Sequence, residues 1–447
     1  MAQLTVQRPN GTRDVTPSQM YKWNTVEAIV KSQAEAYGFK EIRIPTFEET
    51  GLFVRSVGDT TDVVQKEMYS VSATGDEGYT LRPEGTAGTI RALIENGLLN
   101  EGLPQKLFYV LSCFRHEKPQ AGRLREFHQF GVEMAGSKDP RADAEVLSLA
   151  KSILDAAGLK NIQLNINSIG CPECRARYQQ ALRDYFKPHL GKMCETCHSR
   201  YEKNPLRLLD CKSEICSEIA KGAPVILDYL CDDCRTHFES LQKYLTAMGI
   251  EFVINPKIVR GLDYYTKTVF EFISYDIGSQ AAVCAGGRYD GLIEQLGGKP
   301  TPALGFGMGL ERLILTMENQ GADFAEEETC DIYIGTMGEA ASVKAMQLCS
   351  ELREDGVRAE CDVVGRSVRA QMKYADKLKA KFSVMIGDSE LESGKVVLRD
   401  MQAEDKTAEP TELALDDSFR GCFNAMLIAK QLGAEGLDGA LSGLLGE

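Results

Sequence analysis

The run Phe114 to Glu133, FRHEKPQAGRLREFHQFGVE, sets Arg115 at the end of an apolar stretch. A turn rich in Pro, Gly and Arg follows, then a second apolar stretch carrying Gln129 and Glu133. Side chains alternate across a strand. Phe108, Val110 and Phe114 therefore share one face of the first stretch, and Arg115 takes the other. His128, Phe130, Val132 and Met134 share one face of the second; Phe127, Gln129, Gly131 and Glu133 share the opposite one. A β-hairpin would cover its apolar face and present Arg, Gln and Glu around a Gly-spaced floor. That suits a small anionic or zwitterionic ligand. A merely solvated face is the commoner fate of polar strand positions, but such a face seldom spends a position on glycine.

Two further arginines stand beside glycines. Arg260-Gly-Leu-Asp-Tyr-Tyr265 places one next to two phenols. Gly305-Phe-Gly-Met-Gly309 reads as a glycine-alternating strand leading into Glu311-Arg312 and a helix. One face of such a strand is bare, so a flat base has room on it, with Arg312 over it or on a phosphate. Taken singly, a structural Arg–Asp pair explains Arg260 better, and close backbone packing explains the glycines equally well. No P-loop is present, because Pro300 follows Lys299, and Leu310 occupies the third glycine position of a dinucleotide fingerprint. Arg115, Arg260 and Arg312 without a P-loop point to an antiparallel-sheet site that grips phosphates with forked guanidinium donors. His128 falls on the apolar face and reads as a satisfied core residue. None of the five histidines is needed as a general base.

Eight of the 14 cysteines form close pairs between residues 171 and 234. Cys171-x2-Cys174, followed after 19 residues by Cys194-x2-Cys197, fits a zinc-ribbon spacing, which makes these four the expected ligands of a structural Zn2+. Cys211, Cys216, Cys231 and Cys234 form a second set. Interleaved pairing stays open, and free thiols in a reducing cytosol are the alternative.

These groups need elements to position them. The 447 residues, with net charge −14, allow several domains with ample core and exclude a general basic nucleic-acid coat. No run of 18 apolar residues exists and the N-terminus lacks an apolar signal core, so the chain reads as soluble and cytoplasmic. Thr16-Pro-Ser-Gln19 has capping-box spacing before a helix over Tyr21–Tyr37, with Gly38 at its C-cap and FKEIRIP as a strand. From Asp331 strands and helices alternate, which argues a compact α/β unit. The expected architecture is α+β. A catalytic domain with an antiparallel sheet comes in two parts, 1–168 and 246–325. A helical cysteine-rich insertion at 169–245 divides them. A C-terminal α/β domain at 330–425 and a tail at 426–447 complete it.

FRHEKPQAGR resembles motif 2 of the class II aminoacyl-tRNA synthetases, and ALGFGMGLERL resembles motif 3. The N-terminal helix with FKEIRIP resembles motif 1, with Pro45 as its proline. Arg260–Tyr265 and AGGRYDGL at 285–292 resemble the two motifs of the histidyl branch, and LRPEGT at 81–86 resembles its amino-acid loop. The likeness runs from Gly11 to near residue 425. It implies a class II synthetase-like fold and ligation of L-histidine to tRNA(His) with ATP and Mg2+, through a histidyl-adenylate, releasing AMP and diphosphate. It implies a homodimer joined through the motif 1 region.

Residue by residue, the resemblance implies Arg115 and Arg260 on the α-phosphate, Arg260 doing electrostatic work that a metal does in related enzymes. Arg312 would bind the nucleotide's phosphates, with Arg123 and Gly309 also at the ATP site. Glu84, Thr86 and Gln129 would hold the α-amino group. Glu133 and Tyr265 would read the imidazole nitrogens, with Tyr264 in the same pocket. The C-terminal domain would bind the anticodon, so Arg366, Arg369, Lys373, Lys377, Lys379 and Lys381 read as a phosphate-facing patch whose grip weakens with salt. Any insertion metal would be structural. The competing reading is a non-catalytic paralogue like the synthetase-like regulatory subunit of ATP phosphoribosyltransferase. Such proteins typically lack the C-terminal domain and carry degenerate catalytic motifs, whereas both are intact in this sequence.

Overall fold

The computed structural model describes residues 6–58, 61, 63–72, 78–209, 211, 213–258, 264–277, 282–325, 327, 329–403 and 411–432. Its contacts divide the chain into two compact units, Met1–Ala325 and Glu326–Glu447. The first unit contains strands β1 (Lys40–Glu41), β2 (Phe47–Glu49), β3 (Tyr69–Ser72), β4 (Gly78–Leu81), β5 (Gln105–Phe114) and β6 (Glu126–Ala135). After these come β7 (Ile162–Ser168), β8 (Val253–Ile254), β9 (Thr266–Ser274), β10 (Ala282–Arg288) and β11 (Ala303–Gly309). The main sheet has the order β1-β5-β6-β11-β10-β9-β7-β8. Its six central strands are antiparallel, and the two-residue edges β1 and β8 pair in parallel with β5 and β7.

Both faces of this sheet are covered. Phe130, Val132 and Met134 of β6 pack with Trp23, Val26 and Val30 of helix Pro17–Ala36 and with Leu147, Ala150 and Leu154 of helix Pro140–Ala156. On the other side Leu107, Tyr109, Leu111 and Cys113 of β5 are buried as well. The polar face of the hairpin is thus enclosed rather than solvated.

Two local expectations change. Pro17 opens its helix at the first turn, where its missing N–H costs nothing, but Thr16 makes no side-chain cap bond. Its hydroxyl pairs with Ser18 Oγ at 3.1 Å instead. FKEIRIP forms only the two-residue β1, although Ile42 N still donates to Phe108 O at 2.8 Å. Beyond it Pro45 has no N–H to offer a ladder. The Arg82 guanidinium takes the Ile44 and Pro45 carbonyls, at 2.7 and 3.0 Å.

A buried ion pair ties β10 to helix Pro140–Ala156. Arg288 and Asp143 are both fully buried and directly paired, and Arg288 also donates to Ser137 O at 2.7 Å. His237 Nε2 lies 3.3 Å from Asp143. Burial pushes the Asp143 carboxyl up, but Arg288 and His237 outweigh it and hold the group well below its ordinary range. Removing one partner leaves an uncompensated buried charge. Asp143→Ala is therefore expected to lower stability by about 3–5 kcal/mol in denaturant unfolding; a loss below about 1 kcal/mol would show the pair to be replaceable.

The insertion leaves the sheet after β7 and rejoins it at β8. It comprises helices Pro172–Phe186, Glu195–Lys203, Glu214–Ala220 and Asp232–Ala247. The last of these returns to the catalytic core through Leu241 and Leu245. The expected zinc set of Cys171, Cys174, Cys194 and Cys197 does not assemble. Cys171 and Cys174 lie with Cys231 and Cys234, while Cys194 and Cys197 lie with Cys211 and Cys216. The reason is length: a 15-residue helix separates the first two pairs, carrying the chain away by about 22 Å.

In the second unit, strands β12 (Ile332–Thr336), β13 (Ala359–Cys361), β14 (Phe382–Ile386), β15 (Lys395–Asp400) and β16 (Thr411–Ala414) form a sheet of order β13-β12-β14-β15-β16. The first three pair in parallel and the rest antiparallel. Helix Phe419–Leu432 crosses the expected boundary at 425, because Leu427 belongs to this unit's core. Of the expected tail, 433–447 lie outside the described residues. The basic cluster is partly neutralised: Arg366 pairs with Asp362, Lys379 with Glu327 and Lys381 with Asp331. Arg369, Lys373 and Lys377 are exposed at four-residue spacing on helix Val368–Lys377, so they share a face. No helix among the described residues is long and apolar enough to cross a membrane.

Candidate active site

A cavity of about 390 Å³ opens over β6, β11 and β10. Arg115, Arg123, Gly309 and Arg312 line one part of it, and Glu84, Thr86, Gln129, Tyr264 and Tyr265 line another. Arg260 lies outside the described residues.

The cationic part is held by backbone carbonyls. Arg115 Nε donates to Pro83 O at 2.8 Å, and its guanidinium sits 5.2 Å from the Phe127 ring centroid. Arg312 donates to Gly122 O and Ala282 O, both at 2.9 Å. Arg123 pairs with Glu117, whose other carboxylate oxygen is 3.9 Å from Arg115. Burial, then repulsion from Arg123 and Arg115, lowers the proton affinity of Arg312. Crowded guanidiniums of this kind are relieved by an anion.

The acidic part is deeper. Glu133 is 1% exposed and lies under β11. It accepts hydrogen bonds from Tyr109 OH at 3.0 Å and from Tyr289 OH. Burial raises its carboxyl to about 8 against the lowering effect of Tyr289, Thr86 and Tyr109. Glu84 is raised too, chiefly by burial and partly offset by Arg115. Its oxygens accept from Ala87 N at 3.2 Å and Tyr264 OH at 3.0 Å. Two buried carboxyls with raised proton affinity favour a ligand that brings positive charge or N–H donors.

The glycines have physical causes here. The Tyr109 ring lies across Gly131, its register partner on β6, and against Gly85. A side chain at Gly305 would collide with Glu133, and one at Gly307 with Gln129. The bare face of β11 thus accommodates those two polar side chains, and open space remains toward Gly309, where Arg312 is the nearest neighbour at 3.9 Å. Gln129 Oε1 accepts from Gly85 N at 3.2 Å, joining β6 to the LRPEGT loop.

His128 is not core. Its side chain is 35% exposed, and Nδ1 is 2.9 Å from Glu311, which also accepts from His128 N at 2.9 Å. The β6 face it occupies reaches the edge of the helical cover, where the ring packs on Trp23 at 4.8 Å. Burial pulls its imidazole down, but Glu311 outweighs this and raises it. Sequence reasoning missed Tyr109 and Tyr289. Tyr109 sits in an apolar strand and reads as core; Tyr289 lies inside AGGRYDGL, which marked its neighbourhood without its role.

A family model described as histidyl-tRNA synthetase matches residues 11–313. The chain belongs to the histidyl-tRNA synthetase family. A model described as an anticodon binding domain matches residues 331–419. A curated histidine–tRNA ligase of Acetivibrio thermocellus is 53% identical over 92% of this chain and 98% of its own length. The apo histidyl-tRNA synthetase of S. aureus superposes with a TM-score of 0.80 at 37% identity, over 94% of this chain and 100% of that one. A Bacillus halodurans chain described as an ATP phosphoribosyltransferase regulatory subunit/histidyl-tRNA synthetase shares the fold, with a TM-score of 0.63 at 20% identity over 86% of this chain and 99% of its own. Within a histidyl-tRNA synthetase framework, the eight-stranded sheet places all the described site residues on one cavity or directly beneath it.

Proposed function

We propose that the chain is a class II histidine–tRNA ligase. It activates L-histidine with ATP to histidyl-adenylate and diphosphate, then transfers the histidyl group to tRNA(His) and releases AMP. One observation carries this reading: a single cavity is lined by arginines and by buried Glu84, which accepts from Tyr264 OH, with buried Glu133, which accepts from Tyr109 OH, directly beneath it. A triphosphate fits the first and a zwitterion with an imidazole fits the second.

The histidine carboxylate attacks the α-phosphorus, a bond forms between carboxylate oxygen and phosphorus, and the bond to diphosphate breaks. Arg115 spreads the developing charge on the α-phosphoryl oxygens, and Arg312, Arg123 and Gly309 hold the rest of the nucleotide. Arg260 joins Arg115 on the α-phosphate by family likeness. Phosphoryl transfer needs positioning and charge stabilisation more than covalent partners. Glu84, Thr86 and Gln129 take the ammonium; Glu133 accepts the imidazole N–H and Tyr265 satisfies the other nitrogen, with Tyr264 buttressing Glu84. Mg2+ would arrive with the ATP phosphates and supplies further charge neutralisation there.

The α/β unit reads the anticodon, with the exposed face of Arg369, Lys373 and Lys377 toward phosphates. The working form is a cytoplasmic homodimer. Structural Zn2+ in the insertion belongs to the same reading and takes no part in the chemistry. The test is ATP–pyrophosphate exchange by the purified full chain. Exchange is expected only when histidine is present, followed by charging of tRNA(His). A folded dimer that exchanges nothing would be a regulatory paralogue.

A further inference from the structure

The eight paired cysteines of the insertion fall into two groups, in each of which the sulfurs lie within 4.8 Å of one another. All eight are free thiols. In the first group Cys171 Sγ is 3.5 Å from Cys174 Sγ and 4.0 Å from Cys231 Sγ. In the second, Cys194 Sγ is 3.8 Å from Cys211 Sγ. Four sulfurs bonded to zinc at about 2.3 Å form a tetrahedron with edges of about 3.8 Å. The observed spacing is that of thiolates around one mononuclear ion. A disulfide needs sulfurs at about 2.05 Å. An iron–sulfur cluster spreads its ligands wider, because iron and sulfide atoms lie between them.

Local structure builds three of the four pairs the same way. Cys171, Cys194 and Cys231 each occupy the N-cap of a helix in extended conformation, with Cys174, Cys197 and Cys234 in the first turn. This brings both sulfurs of a pair to one side of a helix start. Backbone N–H groups then bridge the segments: Cys231 N donates to Cys174 Sγ at 3.0 Å, and Cys194 N donates to Cys216 Sγ at 3.3 Å. Cys174, Cys197, Cys216 and Cys234 are buried in a core of the insertion's own, among seven other buried side chains that include Tyr178, Leu182, Phe186 and Leu208. A core of this size supplies only a few kcal/mol on its own, so a metal staple adds a large share of its stability.

We infer that the insertion holds two zinc ions in separate four-thiolate sites, Cys171/Cys174/Cys231/Cys234 at its stem and Cys194/Cys197/Cys211/Cys216 beyond its first helix. The stem ion joins the chain leaving β7 to the helix that brings it back. Gly170, at φ +66°, is required beside it, because a Cβ there would stand 2.5 Å from that of Cys174. The returning helix begins at this ion and, one turn on, carries His237 against Asp143, the partner of Arg288 next to Tyr289. The stem site therefore anchors a helix that is linked through Asp143 and Arg288 to the neighbour of Tyr289, a residue of the cavity wall. This deepens the structural-metal part of the proposed function and stands apart from its chemistry, since metal content needs no activity assay.

Elemental analysis of the purified full chain should give two zinc ions per chain. Cys174→Ser and Cys197→Ser should each retain one, and the double variant none. If the two sets instead followed sequence order, both substitutions would strike the same site and the double variant would keep one. X-ray absorption at the zinc edge of the unsubstituted protein should show four sulfurs and no nitrogen. Fewer than two zinc ions, iron in their place, a nitrogen ligand or one zinc in a folded double variant would overturn the inference. Where the variants do not fold, the stoichiometry and absorption of the unsubstituted protein decide it.

Discussion

Arg115→Ala is expected to slow histidine-dependent pyrophosphate exchange about 10²–10³-fold, the usual cost of losing one preorganised charge-stabilising donor. The effect should fall on kcat if Arg115 meets the phosphates and Glu84 and Gln129 the amino acid, as proposed; all three line the cavity. Arg115→Lys should recover only part of the rate. Nε now binds Pro83 O and leaves the terminal nitrogens for phosphate, whereas an ammonium has no fork to divide between the two. Single-turnover adenylate formation measures this directly. A folded Arg115→Ala protein within about fivefold of the parent would remove Arg115 from the α-phosphate.

The second large effect concerns Glu133. Its carboxyl is raised to about 8 by burial, so in the free protein it carries a proton through most of the neutral range. As the ionised carboxylate it is the stronger acceptor for the N–H of a neutral imidazole. Free histidine's ring is neutral above about pH 6.5. Between about pH 6.5 and 8, kcat/KM for histidine should therefore rise with pH, approaching tenfold per unit, and level off above. Tyr289 lowers the proton affinity of Glu133 through its hydrogen bond, so Tyr289→Phe should move the plateau to higher pH. Glu133→Gln should flatten this limb and reduce kcat/KM about 10²-fold, the value of a hydrogen bond to a charged group. A flat profile in the parent would mean that Glu133 keeps its proton with histidine bound, and the carboxylate role would fail.

Some of this site was legible from spacing alone. Period-two alternation put Gln129 and Glu133 on one face, and that face carries the cavity. What alternation cannot convey is which distant residue covers it. Tyr109 reaches Glu133 across the hairpin, and Tyr289 reaches it from two strands away. The alternating glycines of β11 were legible as a bare face. That Gln129 and Glu133 would occupy part of it depends on strand order, which periodicity does not carry. His128 was misplaced for the same reason, since its partner Glu311 lies on the helix after β11. The cysteines could be counted and spaced but not sorted, because sorting them depends on where a helix turns back.

The pairing of β6 with β11 also constrains how the chain is made. β6 ends at Ala135, and its partner begins at Ala303, about 170 residues later. At about 5–20 residues per second on the ribosome, that strand edge waits roughly 10–30 s for its neighbour. During this interval the helical insertion emerges and can close on itself using local contacts. The newborn hairpin meanwhile presents an unpaired strand edge, the kind of surface that makes partly made chains prone to aggregate.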